Sequence, residues 1–178
     1  MMKKLIILDR DGVINYDSPA YIKSPDEFLP IPGSIEAIAR LSQNGFLVAI
    51  ATNQSGVSRG LYSEETLKAI HQKMQSLVSE AKGSITAIEY CLHMPDAGCS
   101  CRKPKPGMLE NLAKKLGCSL KDSSFVGDRI SDIEAAKAVE VKPIMILSPM
   151  TNQEGLKNHP EVPVFNSLAD YVEHLVNA

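Results

Sequence analysis

The sequence predicts an α/β fold, a parallel central sheet flanked by helices. Two observations predict it. Short apolar runs such as Leu5-Ile6-Ile7-Leu8 and Leu47-Val48-Ala49-Ile50-Ala51 recur along the chain, each continuous rather than alternating, as strands covered on both faces require. Between them lie segments of helical period, the order that βαβ crossovers demand. The length, 178 residues, suits one domain over 1–178 with a core that needs no disulfide staples.

The elements follow in order. The first strand, 5–8, ends at Asp9, and Gly12 allows a tight exit. Tyr16 to Gly33 is rich in proline and polar residues and reads as a loop or short flap. Ile35, Ile38 and Leu41 mark a helix that stops at Asn44-Gly45, before the second strand at 47–51. Ser63 caps the next helix, with Glu64 and Glu65 at its positive end and Leu67, Ile70, Met74, Leu77 and Val78 as its buried stripe. A third strand is expected at 87–90, then a helix at 108–116, a short strand at 124–126, a helix at 130–139, a fifth strand at 144–147 and a closing helix at 167–176.

A net charge of −2 and no long basic stretch argue against a nucleic-acid partner and point to a small molecule. The N-terminal Met1-Met2-Lys3-Lys4 precedes too short an apolar run for a signal peptide. No stretch approaches the roughly 18–20 apolar residues of a membrane span, so no membrane partner is expected and the location expected is cytoplasmic. Nothing points to an oligomer, and a monomer is the expectation.

Asp9 and Asp11 stand one residue apart at the carboxyl end of the first strand, where open α/β sheets place their ligands. Their like charges call for a cation. The plainer reading is a turn capped by aspartate, and two further strand ends weigh against it. The second strand leads into Thr52-Asn53-Gln54-Ser55-Gly56, small polar donors suited to phosphoryl oxygens, with Gly56 letting backbone approach. The fourth leads into Gly127-Asp128-Arg129 and on to Asp132. Asp9, Asp11 and Asp128 together can supply the oxygen ligands of one Mg²⁺.

Cys91, His93, Cys99 and Cys101 form the other cluster. Three thiolates and an imidazole make a closed tetrahedral zinc site, structural because no position is left for substrate. Its loop, 91–101, has Pro95 and Gly98 and little apolar content to hold it otherwise. Cys118 reads as a small core residue, and His71, His159 and His174 as exposed or packing residues. Arg102-Lys103-Pro104-Lys105 then follows the last ligand directly as a stiff cationic edge.

Asp-x-Asp, Thr, a basic segment and Gly-Asp-x-x-x-Asp, in that order across residues 5–132, closely resemble the haloacid dehalogenase superfamily of phosphohydrolases. The resemblance implies a Rossmann-like fold in which Asp9 attacks phosphorus to form an aspartyl phosphate, while Asp11 protonates the leaving group and then activates water. Asp-Arg-Asp-Gly, Thr-Asn-Gln-Ser-Gly and Cys-Arg-Lys-Pro narrow it to the zinc-containing branch shared by heptose bisphosphate and histidinol phosphate phosphatases. By that match Lys103 stabilises the phosphoryl group, with Lys105 a rival for the role, and Arg102 recognises substrate.

About 40 residues separate Asp11 from Thr52 and about 50 separate Thr52 from Lys103, which leaves no room for a large cap domain. The expected substrate contacts are Arg10, the flap Asp17-Ser18-Pro19-Ala20, Thr52, Asn53, Gln54, Ser55, Arg102, Lys103 and Arg129. Arginine forks suit a second phosphate, so a sugar bisphosphate is expected and the heptose pattern is favoured over histidinol phosphate. A phospho-sugar binding module without catalysis, or a nucleic-acid 3′-phosphatase, remains a different reading.

Overall fold

The computed structural model describes residues 3–177; Met1 and Met2, part of the stretch read for a leader, lie outside the described residues. Strands β1 (Leu5–Leu8), β2 (Leu47–Asn53), β3 (Ala87–Cys91), β4 (Ser124–Gly127), β5 (Lys142–Ile146) and β6 (Val164–Phe165) form one sheet, ordered β3-β2-β1-β4-β5-β6. Every pairing is parallel. The helices are α1 (Ser34–Gln43), α2 (Glu64–Glu80), α3 (Gly107–Leu116), α4 (Ile130–Ala138), α5 (Gln153–Leu156) and α6 (Leu168–Val176).

Alternation along β1 divides the core. Ile6 and Leu8 face a cluster with Ile35, Ile38 and Leu41 of α1, Ile70 and Met74 of α2, and Leu168 and Val172 of α6. Leu5 and Ile7 face the opposite side, with Leu109 and Leu112 of α3 and Ala135 and Ala136 of α4. All four β1 side chains are buried, and each contributes about 1.5–3 kcal/mol from lost water contact. That burial is why a run without polar alternation is stable here.

β1 lies where the strand order reverses, with β2 on one side and β4 on the other. A crevice opens outside the carboxyl ends at such a switch point. The backbone continues the ladder beyond β1, Asp9 N–H donating to Val126 O at 2.8 Å, so the nucleophile candidate starts from an anchored position. Gly12 then turns with φ +86, and a Cβ there would come within 2.1 Å of Asp128 Oδ2. The glycine therefore serves both the turn and the close approach of two strand ends.

The boundaries differ where hydrogen bonding outruns hydrophobicity. β2 extends through Thr52 and Asn53, which pair with Tyr90 and Cys91 of β3, so the phosphate-cradle residues begin inside the sheet. β5 begins at Lys142 and ends at Ile146, two residues before and one short of its apolar run. β6 and α5 have no counterpart in the sequence reading; at two and four residues they are too short to carry a periodic signal. Ser63 does cap α2, its hydroxyl accepting from Thr66 N–H at 3.1 Å. No large insertion separates the strands: the segment from β1 to β2 holds a flap with one 3₁₀ turn, Pro25–Glu27, and α1. Among the described residues no helix is long and apolar enough to cross a membrane.

Candidate active site

Asp9 sits on the floor of a pocket of about 740 Å³ that opens at the carboxyl ends of the strands. Its Oδ1 accepts from Arg10 N–H at 2.8 Å and lies 3.1 Å from Lys103 Nζ. Lys103 is buried, pairs with Asp132 at 2.7 Å, donates to Ala51 O at 3.2 Å and rests over the Phe125 ring. Asn53 clamps the segment that carries it: Lys103 N–H donates to Asn53 Oδ1 at 3.1 Å and Asn53 Nδ2 donates back to Lys103 O at 3.3 Å. Lys105 is exposed at the pocket edge. Of the two rival lysines, Lys103 is the one beside Asp9.

Burial, reinforced by the carboxylates of Asp132, Asp128 and Asp11, pushes the Asp9 carboxyl well above its usual range, against the pull of Lys103. Burial also works against the lysine's charge, yet Asp132 and Asp9 hold the Lys103 pKa above its ordinary value. Burial and the Asp132 charge push Asp128 up to about 6. Asp9, Asp128 and Asp132 offer oxygens within 4.8 Å of one another, and the buried Asp128 Oδ1 has no hydrogen-bond partner among the described residues. A crowded carboxylate set with an orphaned oxygen suits a hard divalent cation.

The side chain of Asp11, expected in that set, is not there. Its Oδ1 accepts from Arg10 Nε at 3.0 Å, Arg10 Nη2 at 2.7 Å and Asn15 Nδ2 at 2.9 Å, while Oδ2 accepts from Gln54 Nε2 at 3.1 Å. Burial alone would raise its pKa, but the Arg10 charge and the bonds from Asn15, Arg10 and Gln54 hold this carboxyl below its usual value. One oxygen is saturated and the other has a single donor. Asp132, in the first turn of α4, takes the vacated place; the Gly-Asp-x-x-x-Asp spacing carried that signal, without assigning it a role. A Cβ on Gly127 would meet Asp132 Oδ2 at 2.3 Å, so glycine there is the condition for its approach.

Other expected contacts divide. Asp17, Ser18, Pro19, Thr52, Asn53, Gln54, Ser55, Arg102, Lys103 and Arg129 all line the pocket. Arg10 does not: its side chain is fully buried and committed to Asp11 and to His71 Nε2 at 3.2 Å. Ala20 lies on an exposed turn outside the pocket wall. Gly56 makes room for protein, not ligand, since a Cβ there would be 2.2 Å from the Tyr62 ring. Tyr62 O–H in turn donates to Gln54 Oε1 at 2.6 Å, and Gln54 Nε2 donates to Thr52 Oγ1 at 3.0 Å.

Residues that the motifs did not single out also shape the site. Ser148 Oγ donates to Asp128 Oδ2 at 2.7 Å. Arg59 stacks 5.8 Å from the centroid of Tyr21, a non-glycine residue at φ 68, and both line the pocket. The expected contacts Arg129 and Asp17 pair with each other, Arg129 Nη2 meeting Asp17 Oδ2 at 3.0 Å and tying the flap to the β4 loop. His71 is buried in α2, and burial together with the Arg10 charge lowers its pKa to about 3. A lone histidine or arginine carries no spacing signal, so these contacts appear only in three dimensions.

The cysteine cluster closes as expected. His93 Nδ1 is 3.4 Å from Cys91 Sγ and 3.2 Å from Cys101 Sγ, with Cys91 Sγ 3.7 Å from Cys99 Sγ and 2.6 Å from Cys101 Sγ. One donor atom from each of the four residues lies within 4.8 Å of the others. Cys118 stands apart, half-buried.

Known proteins bear the same pattern. A family model described as "HAD-hyrolase-like" matches residues 100–171. A Pseudomonas putida protein named D-glycero-beta-D-manno-heptose-1,7-bisphosphate 7-phosphatase is 49% identical over 174 residues, covering 97% of this chain and 99% of its own. The chain belongs to this heptose bisphosphate phosphatase family, within the HAD-like hydrolases. A Pseudomonas aeruginosa member of the same name is 56% identical over 146 residues, 82% of each chain. The D,D-heptose 1,7-bisphosphate phosphatase of B. bronchiseptica, crystallised with magnesium and phosphate, superposes on this family member with a TM-score of 0.89 at 43% identity over 98% of both chains.

Proposed function

We propose that the chain, as one domain over 1–178, is a Mg²⁺-dependent D-glycero-beta-D-manno-heptose 1,7-bisphosphate 7-phosphatase that releases the C7 phosphate and leaves heptose 1-phosphate for activated-heptose and surface-glycan synthesis. The near-complete match to the P. putida relative carries the substrate assignment. The chemistry rests on two aspartates placed differently, Asp9 beside Lys103 in the carboxylate cluster and Asp11 held by Arg10, Asn15 and Gln54; a cation bound beside Asp9 would favour its ionised, nucleophilic form. In the first transfer an Asp9 oxygen bonds to phosphorus, the bond to the C7 oxygen breaks, and that oxygen takes a proton from Asp11. In the second, Asp11 takes a proton from water as its oxygen attacks phosphorus, freeing Asp9 and phosphate.

Asp11 must gain a proton before the first transfer. A dianionic phosphate arriving beside it raises its pKa by like-charge repulsion, in the direction that condition needs. Lys103, the Thr52 hydroxyl and the donors at Asn53 to Ser55 offset charge on the transferring group. Asp9 and Asp128, with Asp132 nearby, would hold Mg²⁺, which would offset charge on the phosphoryl oxygens. Arg102 and Arg129 take the C1 phosphate, and the pocket-lining Arg59 adds a third guanidinium.

Cys91, His93, Cys99 and Cys101 hold a structural Zn²⁺ that stiffens the segment leading to Lys103; reduced thiols of this kind fit a cytoplasmic location. The reading calls on no second chain, and a monomer is proposed.

The raised Asp128 pKa gives a pH dependence. Its folded pKa of about 6 stands above the unfolded value of 3.8, so without metal the ionised carboxylate costs stability, a cost that grows as pH rises from the lower value through the higher. Metal binding needs that ionised form. Mg²⁺ is therefore expected to bind at least about tenfold more weakly near pH 5 than near pH 7, since Asp9 must ionise as well, as read from the Mg²⁺-induced rise in melting temperature at each pH.

Phosphate release from both anomers of the heptose bisphosphate, set beside histidinol phosphate, tests the substrate. Faster release from histidinol phosphate would replace the proposed substrate.

A further inference from the structure

We infer that His71, outside the pocket, is a positioning residue for the acid/base step, acting through Arg10 on Asp11. The inference rests on the proposed role of Asp11. Arg10 touches Asp11 twice, through Nε at 3.0 Å and Nη2 at 2.7 Å, but both contacts end on the same oxygen, Oδ1. Contacts converging on one atom fix a point and leave the planar guanidinium free to pivot about it. The remaining arm supplies the second point: Arg10 Nη1 lies 3.2 Å from His71 Nε2.

A guanidinium only donates, so Nε2 is the acceptor, the imidazole is neutral and its proton is on Nδ1. Both partners are buried, Arg10 at 0% and His71 at 5% exposure. Water therefore does not readily replace the acceptor. The Tyr90 ring, 5.9 Å away between centroids, flanks the imidazole, and Tyr90 O–H is itself held by Glu64 Oε2 at 2.6 Å. A chain of fixed groups thus runs from α2 and β3 to Asp11, and its end sets the direction of Oδ2, the oxygen left for proton transfer.

Such a role is selective for leaving groups. A sugar alkoxide needs a proton as it departs, whereas p-nitrophenolate leaves without one, so a misaimed acid harms the first substrate more. His71→Leu keeps the bulk and removes the acceptor; His71→Gln can return an oxygen to Arg10. In the full-length Mg²⁺-loaded enzyme, H71L is expected to lower kcat/KM, which reports the first transfer and not the water activation both substrates share, about tenfold or more on heptose bisphosphate and at least about threefold less on p-nitrophenyl phosphate. H71Q should recover most of the loss. Equal losses on both substrates, no loss on either, or no recovery in H71Q would overturn the inference. Should H71L not fold, H71N, one methylene too short to reach Arg10, is compared with H71Q under the same criteria.

Asp11→Asn separates this inference from the reading beneath it. If D11N shows the leaving-group dependence and the His71 variants do not, the His71 inference alone fails. If D11N lacks it, the acid/base role of Asp11 and the His71 inference fail together.

Discussion

Asp9→Asn is expected to lower turnover by on the order of 10⁴-fold or more, with the fold intact. The amide is nearly isosteric and keeps an oxygen for the Arg10 N–H at 2.8 Å, but it cannot form the aspartyl phosphate. Lys103 keeps Asp132 at 2.7 Å as a counterion, so no buried cation is stranded. The change also removes a carboxylate whose ionised form burial disfavours. The metal-free D9N protein is accordingly expected to melt no lower than the wild type, the trade of stability for activity common at catalytic sites. Acid-quenched phosphoenzyme, present in the wild type and missing in D9N, checks the chemistry, and paired thermal melts check the stability.

Loss of the proposed zinc site is expected to have the second large effect. Structural zinc contributes on the order of 10 kcal/mol in small peptides, and residues 91–101 have little apolar burial to replace it. Cys101→Ser removes a sulfur 3.2 Å from His93 Nδ1 and two residues before Lys103. Two consequences are expected: zinc content falls below the one ion per chain proposed for the wild type, and kcat falls about hundredfold or more as Lys103 loses its fixed approach to Asp9. Asn53 holds the far side of that segment through two hydrogen bonds, so the central sheet should remain folded. A lowered melting temperature with near-normal far-ultraviolet circular dichroism, measured beside zinc content, checks this. The wild type stripped by a chelator should behave alike.

The fold was legible because burial leaves a direct trace. A run such as Leu5-Ile6-Ile7-Leu8 has one economical placement, between two helical layers, and the helices announce themselves by period and by caps such as Ser63. The ends of β2 and β3 were less legible, since Thr52, Asn53 and Cys91 join the sheet through backbone pairing to which their side chains give no clue. In the site, spacing placed Asp9, Thr52 and Asp128 at converging strand ends, and the family resemblance pointed to Lys103. It could not show that Asp11 turns its carboxylate toward Arg10 and Asn15, because at i and i+2 an extended chain would aim both side chains alike, and the turn at Gly12 breaks that rule. Nor could it show that Arg10 is buried, or that His71, 61 positions away, is its acceptor. Tyr21 and Arg59 meet only because the flap folds back over the β2 loop.

The central claim is that Asp9 receives the C7 phosphate of a heptose bisphosphate while the C1 phosphate is held apart by arginines. ³¹P nuclear magnetic resonance of D-glycero-beta-D-manno-heptose 1,7-bisphosphate during turnover by the Mg²⁺-loaded enzyme tests it most directly. The C7 resonance should disappear into inorganic phosphate while the C1 resonance persists as heptose 1-phosphate. Accumulation of heptose 7-phosphate, or no change in either resonance while other phosphate esters are consumed, would contradict it.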